Sequence, residues 1–318
     1  MGYFIKTAFK SGKFRLGFCI LATILVFITL FPLFVGTDPL LMEGIMFERP
    51  NLNLYLSGRL FDEPEEVPVD PELEAILAQF GLTVIQRESP RVLRILGTDN
   101  FGRDVLAQLV AGTKTSLTIG ILAGITATII GLTIGLLAGY LGGWLDNFLS
   151  SVINIFLVIP SFVILILISV SLQTRSFIVT AIVIGITAWP WTARSVRAQT
   201  TSLRNRDHVN LSKLSGHSTP RIIVRDIIPY LASYVMMAFI LQMASGILAE
   251  ASLSMLGLGP QNVASLGLMM HWAMTFSALP VGAWWAFLPV VLTIALITFS
   301  LNIMNSGLDQ IFNPQIRS

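Results

Sequence analysis

Apolar residues along this chain gather into long unbroken blocks and do not alternate with polar ones. Five blocks are plain, at 16–36, 116–140, 148–172, 222 or 229 to 258, and 283–304. A shorter sixth lies at 177–191, bounded by Arg175 and Arg194 and containing Pro190. An α-helix rises 1.5 Å per residue, so about 20 apolar residues are needed to cross ~30 Å of hydrocarbon. Blocks of that length predict membrane-crossing helices, whereas a soluble core would scatter its apolar positions with a period. With Ser176 and Thr192 included the sixth block also spans, a re-entrant segment being the alternative. The pattern therefore predicts an all-α, polytopic membrane helix bundle of six transmembrane helices and excludes a soluble globular enzyme.

Composition supports this, because 54% of the 318 residues are hydrophobic and only 12% charged, about half the charge of an average soluble domain. A net charge of +2 is too small to suggest a nucleic-acid partner, so the placement of charge matters more than its sum. Lys6, Lys10, Lys13 and Arg15 precede the first block, which reads as a retained anchor because no small-x-small cleavage site follows it. Arg194, Arg197, Arg204, Arg206, Lys213, Arg221 and Arg225 crowd the connection between the fourth and fifth helices, while 259–282 carries no Lys or Arg. The positive-inside rule then places both termini and the basic connection in the cytoplasm. The expected organisation is a cytoplasmic N-terminus with the first helix at 1–36, an acidic extracytoplasmic loop at 37–115, and a core of five helices at 116–318. Within the loop, 70–80 has an Asp-Pro start and an acidic first turn, which predicts a short helix.

Gly120 and Gly124, then Gly131, Gly135 and Gly139, recur every fourth residue in the second helix. Small residues at that spacing let backbones approach closely in lipid, so this helix is expected inside the bundle or at a subunit interface. Chemistry is harder to find. No Gly-x-x-x-x-Gly-Lys-Ser/Thr loop is present, since Gly12-Lys13 has Thr7 where the first glycine belongs and Lys114 follows Thr113. Any ATP is thus expected on another chain. Cys19 is alone, and His208, His217 and His271 have no ligand spacing, so neither a metal site nor a catalytic arrangement is predicted. Charges within the helices mark ion or proton pathways, and the candidate here is Glu250, which reads either as a gate or as a carboxylate wetted at its helix end.

The basic connection 194–229 is conspicuous. Val209, Leu211 and Leu214 lie among polar residues, Gly216 breaks the run, and a second apolar stretch leads to Pro229. Two short helices broken at Gly216 would form a knob that enters a partner's cleft. A basic loop lying on anionic headgroups is the alternative. On residues alone an ATP-independent channel or secondary carrier also stays open.

At this connection the chain resembles the binding-protein-dependent ABC import permeases, whose signature is Glu-Ala-Ala, three residues, Gly, then Ile-x-Leu-Pro. Gly216 and Pro229, with Ile228 in place of the leucine, fall where the signature wants them, while Asn210, Leu211 and Ser212 replace the Glu-Ala-Ala. The stretch 96–106, Leu-Gly-Thr-Asp-Asn-Phe-Gly-Arg-Asp-Val-Leu, and the stretch 249–259, Ala-Glu-Ala-Ser-Leu-Ser-Met-Leu-Gly-Leu-Gly, are similar to the second permease subunit of dipeptide, oligopeptide and nickel importers. Leu301-Asn302, Gly307-Leu308 and Asn313-Pro314 resemble that branch's tail; the stretch 42–90 is the least family-like. The resemblance implies a type I ABC importer permease fold in a prokaryotic inner membrane. It also implies a homologous second permease, an extracytoplasmic solute-binding protein, and two ATP-binding subunits that hold ATP and Mg. Peptides are the default cargo, with oligosaccharides or nickel carried by relatives. Asp207, Asn210, Leu211, Leu214, Gly216 and Pro229 would couple to the ATPase. Asp99, Gly102, Arg103, Asp104 and Glu250 would shape the outer vestibule or brace it, and Thr98 or Asp99 would cap a helix running through Val105 and Leu109.

Overall fold

A computed structural model describes residues 7–34, 38–42, 44–52, 93–173 and 176–312. The expected helix at 70–80, the tail residues Asn313 and Pro314, and Arg175 lie outside them. The regular elements among the described residues are helices, and none of these residues forms a named strand. In chain order the helices are α1 (Gly12–Phe34), α2 (Val105–Leu141), α3 (Gly143–Val158), α4 (Ser161–Leu172), α5 (Phe177–Arg204), α6 (Asp207–Leu214), α7 (Thr219–Ile222), α8 (Ile228–Met255), α9 (Leu266–Thr275) and α10 (Leu288–Phe312). Five helices are long and apolar enough to cross a membrane, and six spans result when the bent pair α3–α4 is one of them.

Several boundaries differ from the expected ones. The second span starts at Val105, not near Ser116, and its 37 residues reach about 55 Å, more than the ~30 Å thickness of the hydrocarbon. The third block is not one rod: α3 and α4 meet at 83°. Pro160 lacks an N–H, and its ring holds Ile159 in the extended region at φ −80° and ψ 126°, which ends α3. The short sixth block belongs to a 28-residue helix that passes through Pro190 and continues to Arg204. Arg194, Arg197 and Arg204 are therefore helical, and the connection proper is shorter than 194–229. The segment 259–282, expected as a loop, contains α9.

The glycines of α2 decide how the bundle is assembled. A methyl group at Gly120 or Gly124 would meet Met243 of α8, and one at Gly131, Gly135 or Gly139 would meet Thr192, Val196 or Thr200 of α5. The two contact runs share one helix, so α2 lies between α8, antiparallel to it, and α5, parallel to it. Gly185 of α5 returns the close approach against Thr126. Polar contacts clamp α3 onto α5: Arg197 donates to Asp146 through Nη2 at 2.9 Å, and Arg194 reaches Asn154 at 3.2 Å. On the other side of the bundle, Gly17 of α1 packs on Ser300 and Met304 of α10, and Gly307 packs on Phe14.

Much apolar surface stays outside. Trp144, Phe148, Ile155, Val158 and Leu167 on α3 and α4, and Ile178, Ile182 and Ile186 on α5, are exposed. That inversion is stable only where the solvent is lipid or a partner helix.

Candidate functional site

Chemistry-bearing side chains collect at the two ends of the bundle. At the end that carries the arginines, the basic end, one buried residue seats α6. Val209 is fully buried in a cluster with Leu136, Tyr140, Val196, Leu203, Ile222, Ile227 and Leu231, so helices α2, α5 and α8 all contribute to its socket. Leu211 and Leu214, on the opposite face, are 64% and 85% exposed. Lys213 donates to the Arg204 carbonyl at 3.1 Å, and His208 stacks at 4.6 Å on Tyr230.

Gly216 ends α6 in the left-handed region at φ +76°. The His217 N–H donates to the Ser212 carbonyl at 3.2 Å and the Gly216 N–H to the Lys213 carbonyl at 3.0 Å. This pair of bonds is a Schellman closure, which needs a residue without a Cβ penalty at that point. The chain then turns into α7, whose second residue is Pro220. A π-helical stretch, Ile223–Ile227, joins α7 to α8, with the Ile228 N–H donating to Ile223. Pro229 has no N–H for the next regular bond, and the wider turn absorbs that gap. Asp207, Asn210, Leu211, Leu214 and Gly216 thus form one short projecting knob, and Pro229 begins the span behind it.

At the opposite end, the cap end, Asp99 and Arg103 are buried as an ion pair with 2.7 Å between Nη2 and Oδ2. Asp99 also accepts the Phe101 and Arg103 N–H groups and the Gln108 amide at 3.0 Å. The Arg103 guanidinium lies 3.8 Å from the Trp272 ring centroid and 4.3 Å from that of Phe101. Such a charge is satisfied by carboxylate and π faces together. The helix cap expected at Thr98 or Asp99 is in fact Asp104, whose side chain accepts the Ala107 N–H at 2.8 Å. Thr98 serves another purpose, accepting the Glu48 N–H at 2.7 Å and the Trp285 indole N–H on its carbonyl at 3.1 Å. Gly102, at φ +74°, packs against the Gly44 backbone so closely that no Cβ fits. Burial raises the Asp104 carboxyl above its usual range, against two backbone hydrogen bonds that lower it. Burial raises Glu48 likewise, with Arg94 opposing.

Glu250 is not wetted at a helix end. It is fully buried, and three hydroxyls donate to it: Ser116 of α2 at 2.9 Å, Ser254 at 2.7 Å and Ser265 at 2.7 Å. The serines are themselves occupied, Ser116 accepting the Leu266 N–H and Ser265 the Leu268 N–H. α8 ends with the same closure as α6, the Leu258 N–H donating to Leu253 and the Gly257 N–H to Ser254. Gly259 and Gly267 lie against Ser254, where a Cβ would collide. Of the three serines, Ser254 was legible from its spacing of four after Glu250; Ser116 and Ser265 carried no local signal. Among the described residues no cluster of His, Cys, Asp or Glu could hold a metal.

A polytopic bundle with a projecting helix at its basic end and a buried polar network at the other is that of a multi-pass membrane protein. The chain belongs to the family of inner membrane components of binding-protein-dependent transport systems, whose model matches residues 131–318. It is 32% identical to the oligopeptide transport system permease protein OppC of Mycobacterium tuberculosis, over 73% of this chain and 79% of that one. It is also 32% identical to the di/tripeptide transport system permease protein DppC of Pseudomonas aeruginosa, over 70% of this chain and 73% of that one. The fold is similar to that in an inward-facing structure of the MetNI methionine ABC transporter. The TM-score is 0.52 at 19% identity, over 65% of this chain and 95% of that one.

Proposed function

We propose that this chain is the permease of an ATP-driven, binding-protein-dependent importer of peptides and forms half of the translocation path with a homologous second permease. The cargo reading is supported by the peptide transport named in the OppC and DppC relatives. The basic end then faces the cytoplasm, as its arginines require, and the cap end receives cargo from an extracytoplasmic binding protein in a prokaryotic inner membrane. In this reading ATP and Mg belong to two partner subunits of the transport system, in keeping with the chain's membership of the membrane-component family.

One observation carries the coupling role: α6 is anchored by fully buried Val209 while Leu211 and Leu214 point away, 64% and 85% exposed. An apolar pair so exposed on a helix at the water-facing end is costly unless another protein covers it. The rigid socket behind Val209 can transmit a push on that pair to α2, α5 and α8. Asn210, Leu211 and Ser212 stand where the signature has Glu-Ala-Ala, so the docking here is apolar instead of acidic. Gly216 sets the exit angle of the knob.

The test is reconstitution of this chain with its second permease, ATPase subunits and binding protein in proteoliposomes. ATP-dependent uptake of labelled peptide is expected, and L211D with L214D should abolish uptake and peptide-stimulated ATP hydrolysis while the membrane complex still assembles. Unchanged uptake in that variant would remove the docking role, and uptake without ATP or ATPase subunits would remove the importer reading.

A further inference from the structure

A groove of about 370 Å³ opens at the cap end. It lies between residues 111–118 of α2, the start of α5 at Phe177, the loop at Pro39 and Leu40, and the bend before α9 at Asn262 and Ala264. Its volume falls within the few hundred to ~1,000 Å³ of small-molecule sites, which are mostly apolar with a few convergent polar groups. Here the apolar walls come from Leu40, Phe177 and Ala264, and the polar groups are Lys114, Thr115, Thr118 and Asn262.

Lys114 is the cation of this groove, and its side chain is exposed. No carboxylate among the described residues pairs with it, the ion pairs found being Arg94–Glu48, Arg103–Asp99 and Arg197–Asp146. The register of Thr126 on Gly185 and Gly131 on Thr192 brings Phe177 level with Thr118, so Lys114 stands a turn above the first turn of α5, at the rim. The hydroxyls of Thr115 and Thr118 donate back to the carbonyls of Ala111 and Lys114, which leaves their oxygens as acceptors toward the groove. The Asn262 amide is exposed beside them. Behind the wall, the sequence neighbours of Thr115 and Ala264, namely Ser116 and Ser265, both hold Glu250. The side of the groove formed by α2 and the approach to α9 is thereby backed by a fixed polar cage, while Pro39 and Leu40 close it from a loop.

We propose that this groove is a subsite for the carboxylate end of the cargo, with Lys114 pairing to the terminal carboxylate and Thr115, Thr118 and Asn262 satisfying the adjoining peptide group. The inference rests on the peptide reading above. A terminal carboxylate is common to peptides of every side-chain sequence, so one cation beside an apolar groove receives diverse cargo without reading it. The same anionic chemistry could be offered by a phospholipid headgroup, because a lysine near a helix end also reaches for the interface.

The experiment compares initial uptake of a tripeptide with that of its C-terminal amide in the fully assembled importer with its binding protein. The binding protein contributes equally to both variants, so the quantity read is the change in the acid-to-amide ratio caused by this chain. K114Q is expected to lower the ratio about fivefold, the scale of a partly exposed ion pair. Amide uptake should stay unchanged, and K114R should restore most of the ratio. An unaltered ratio in K114Q, or equal loss for acid and amide, overturns the assignment. Retention of anionic phospholipid by the wild type and its release in K114Q, seen by native mass spectrometry with no change in the ratio, assigns the lysine to a headgroup and also overturns it. If the wild type shows no ATP-dependent uptake of either peptide, it is the importer reading that fails.

Discussion

Ser116 and Glu250, 134 positions apart in the chain, meet at 2.9 Å inside the bundle. Because Ser116 also accepts the Leu266 N–H, this one hydroxyl ties α2, α8 and α9 together. A buried carboxyl group is costly unless its hydrogen-bonding sites are filled, and here three serines fill them, with no basic partner among the described residues.

Removing the carboxylate should therefore loosen the cap more than removing one donor. E250A leaves three buried hydroxyls without their acceptor and a void beside them, and should cost about 3 kcal/mol. S116A loses one buried hydrogen bond and leaves the Leu266 N–H without its acceptor, and should cost about 1–3 kcal/mol. Thermal melting of the purified protein in detergent, with limited proteolysis of 259–282, checks both. Equal stability of wild type and E250A would show the cage to be idle.

The α2–α5 seam makes a second prediction. A Cβ at Gly139 meets the Arg197 carbonyl and Thr200, and one at Gly135 meets the Ala193 carbonyl and Val196. Backbone atoms cannot rotate away, so G135A and G139A should each destabilise by about 1–3 kcal/mol through overpacking. Gly12, with nothing near its missing Cβ, is the control: G12A should be neutral or slightly stabilising. Yield and melting temperature of the three variants give the comparison.

The Arg103 guanidinium between Phe101 and Trp272 is a planar site. Lysine keeps the charge but loses the fork and the stacking, so R103K should cost about 1–2 kcal/mol. Hydrogen exchange across 97–104 and α9 should rise together in this variant, because Trp272 connects the two. Exchange that rises in one segment alone would separate them.

Cap stability should also depend on pH, with a sign set by burial. Glu48 and Asp104 have carboxyls raised above their usual values, so the folded cap holds their protons more tightly than the unfolded chain does. Their contribution is fully present below the ordinary carboxyl range and is lost as pH rises through the raised values. Protection of the 44–48 and 97–104 amides, corrected for intrinsic exchange, should increase as pH is lowered from 7.5 toward 5. E48Q should flatten that profile, and a rise of protection with pH would contradict it.

The knob carries a last expectation. Gly216 has open space around its missing Cβ but a positive φ, so only backbone strain opposes substitution. G216A should weaken the α6 terminus by about 1 kcal/mol and G216N by less, seen as faster exchange in 207–214.

The spans were legible because lipid demands about 20 consecutive apolar residues, a local property of the chain. The glycine row of α2 was legible as a packing face for the same reason, although its two partners, α5 and α8, were not. The break at Pro160 was available in the sequence but was outweighed by continuous hydrophobicity, which says nothing about direction. Pro190 is the opposite case, a proline carried inside a helix whose surroundings hold it.

Part of the candidate sites was legible in 96–106, 207–216 and 249–259, but Ser116, Ser265 and Trp272 lie outside those stretches and the roles were not legible. Helical periodicity assigns Asp99 and Arg103 to successive turns, yet they pair in a loop that the Gly44 backbone closes. Glu250 looked solvent-exposed by its count from Pro229, and only the return of 265–268 across the bundle buries it. Hydrophobicity and capping act between near neighbours and are set by sequence alone. The enclosure of a carboxylate by three serines requires long-range packing, so that part was decided by the tertiary structure.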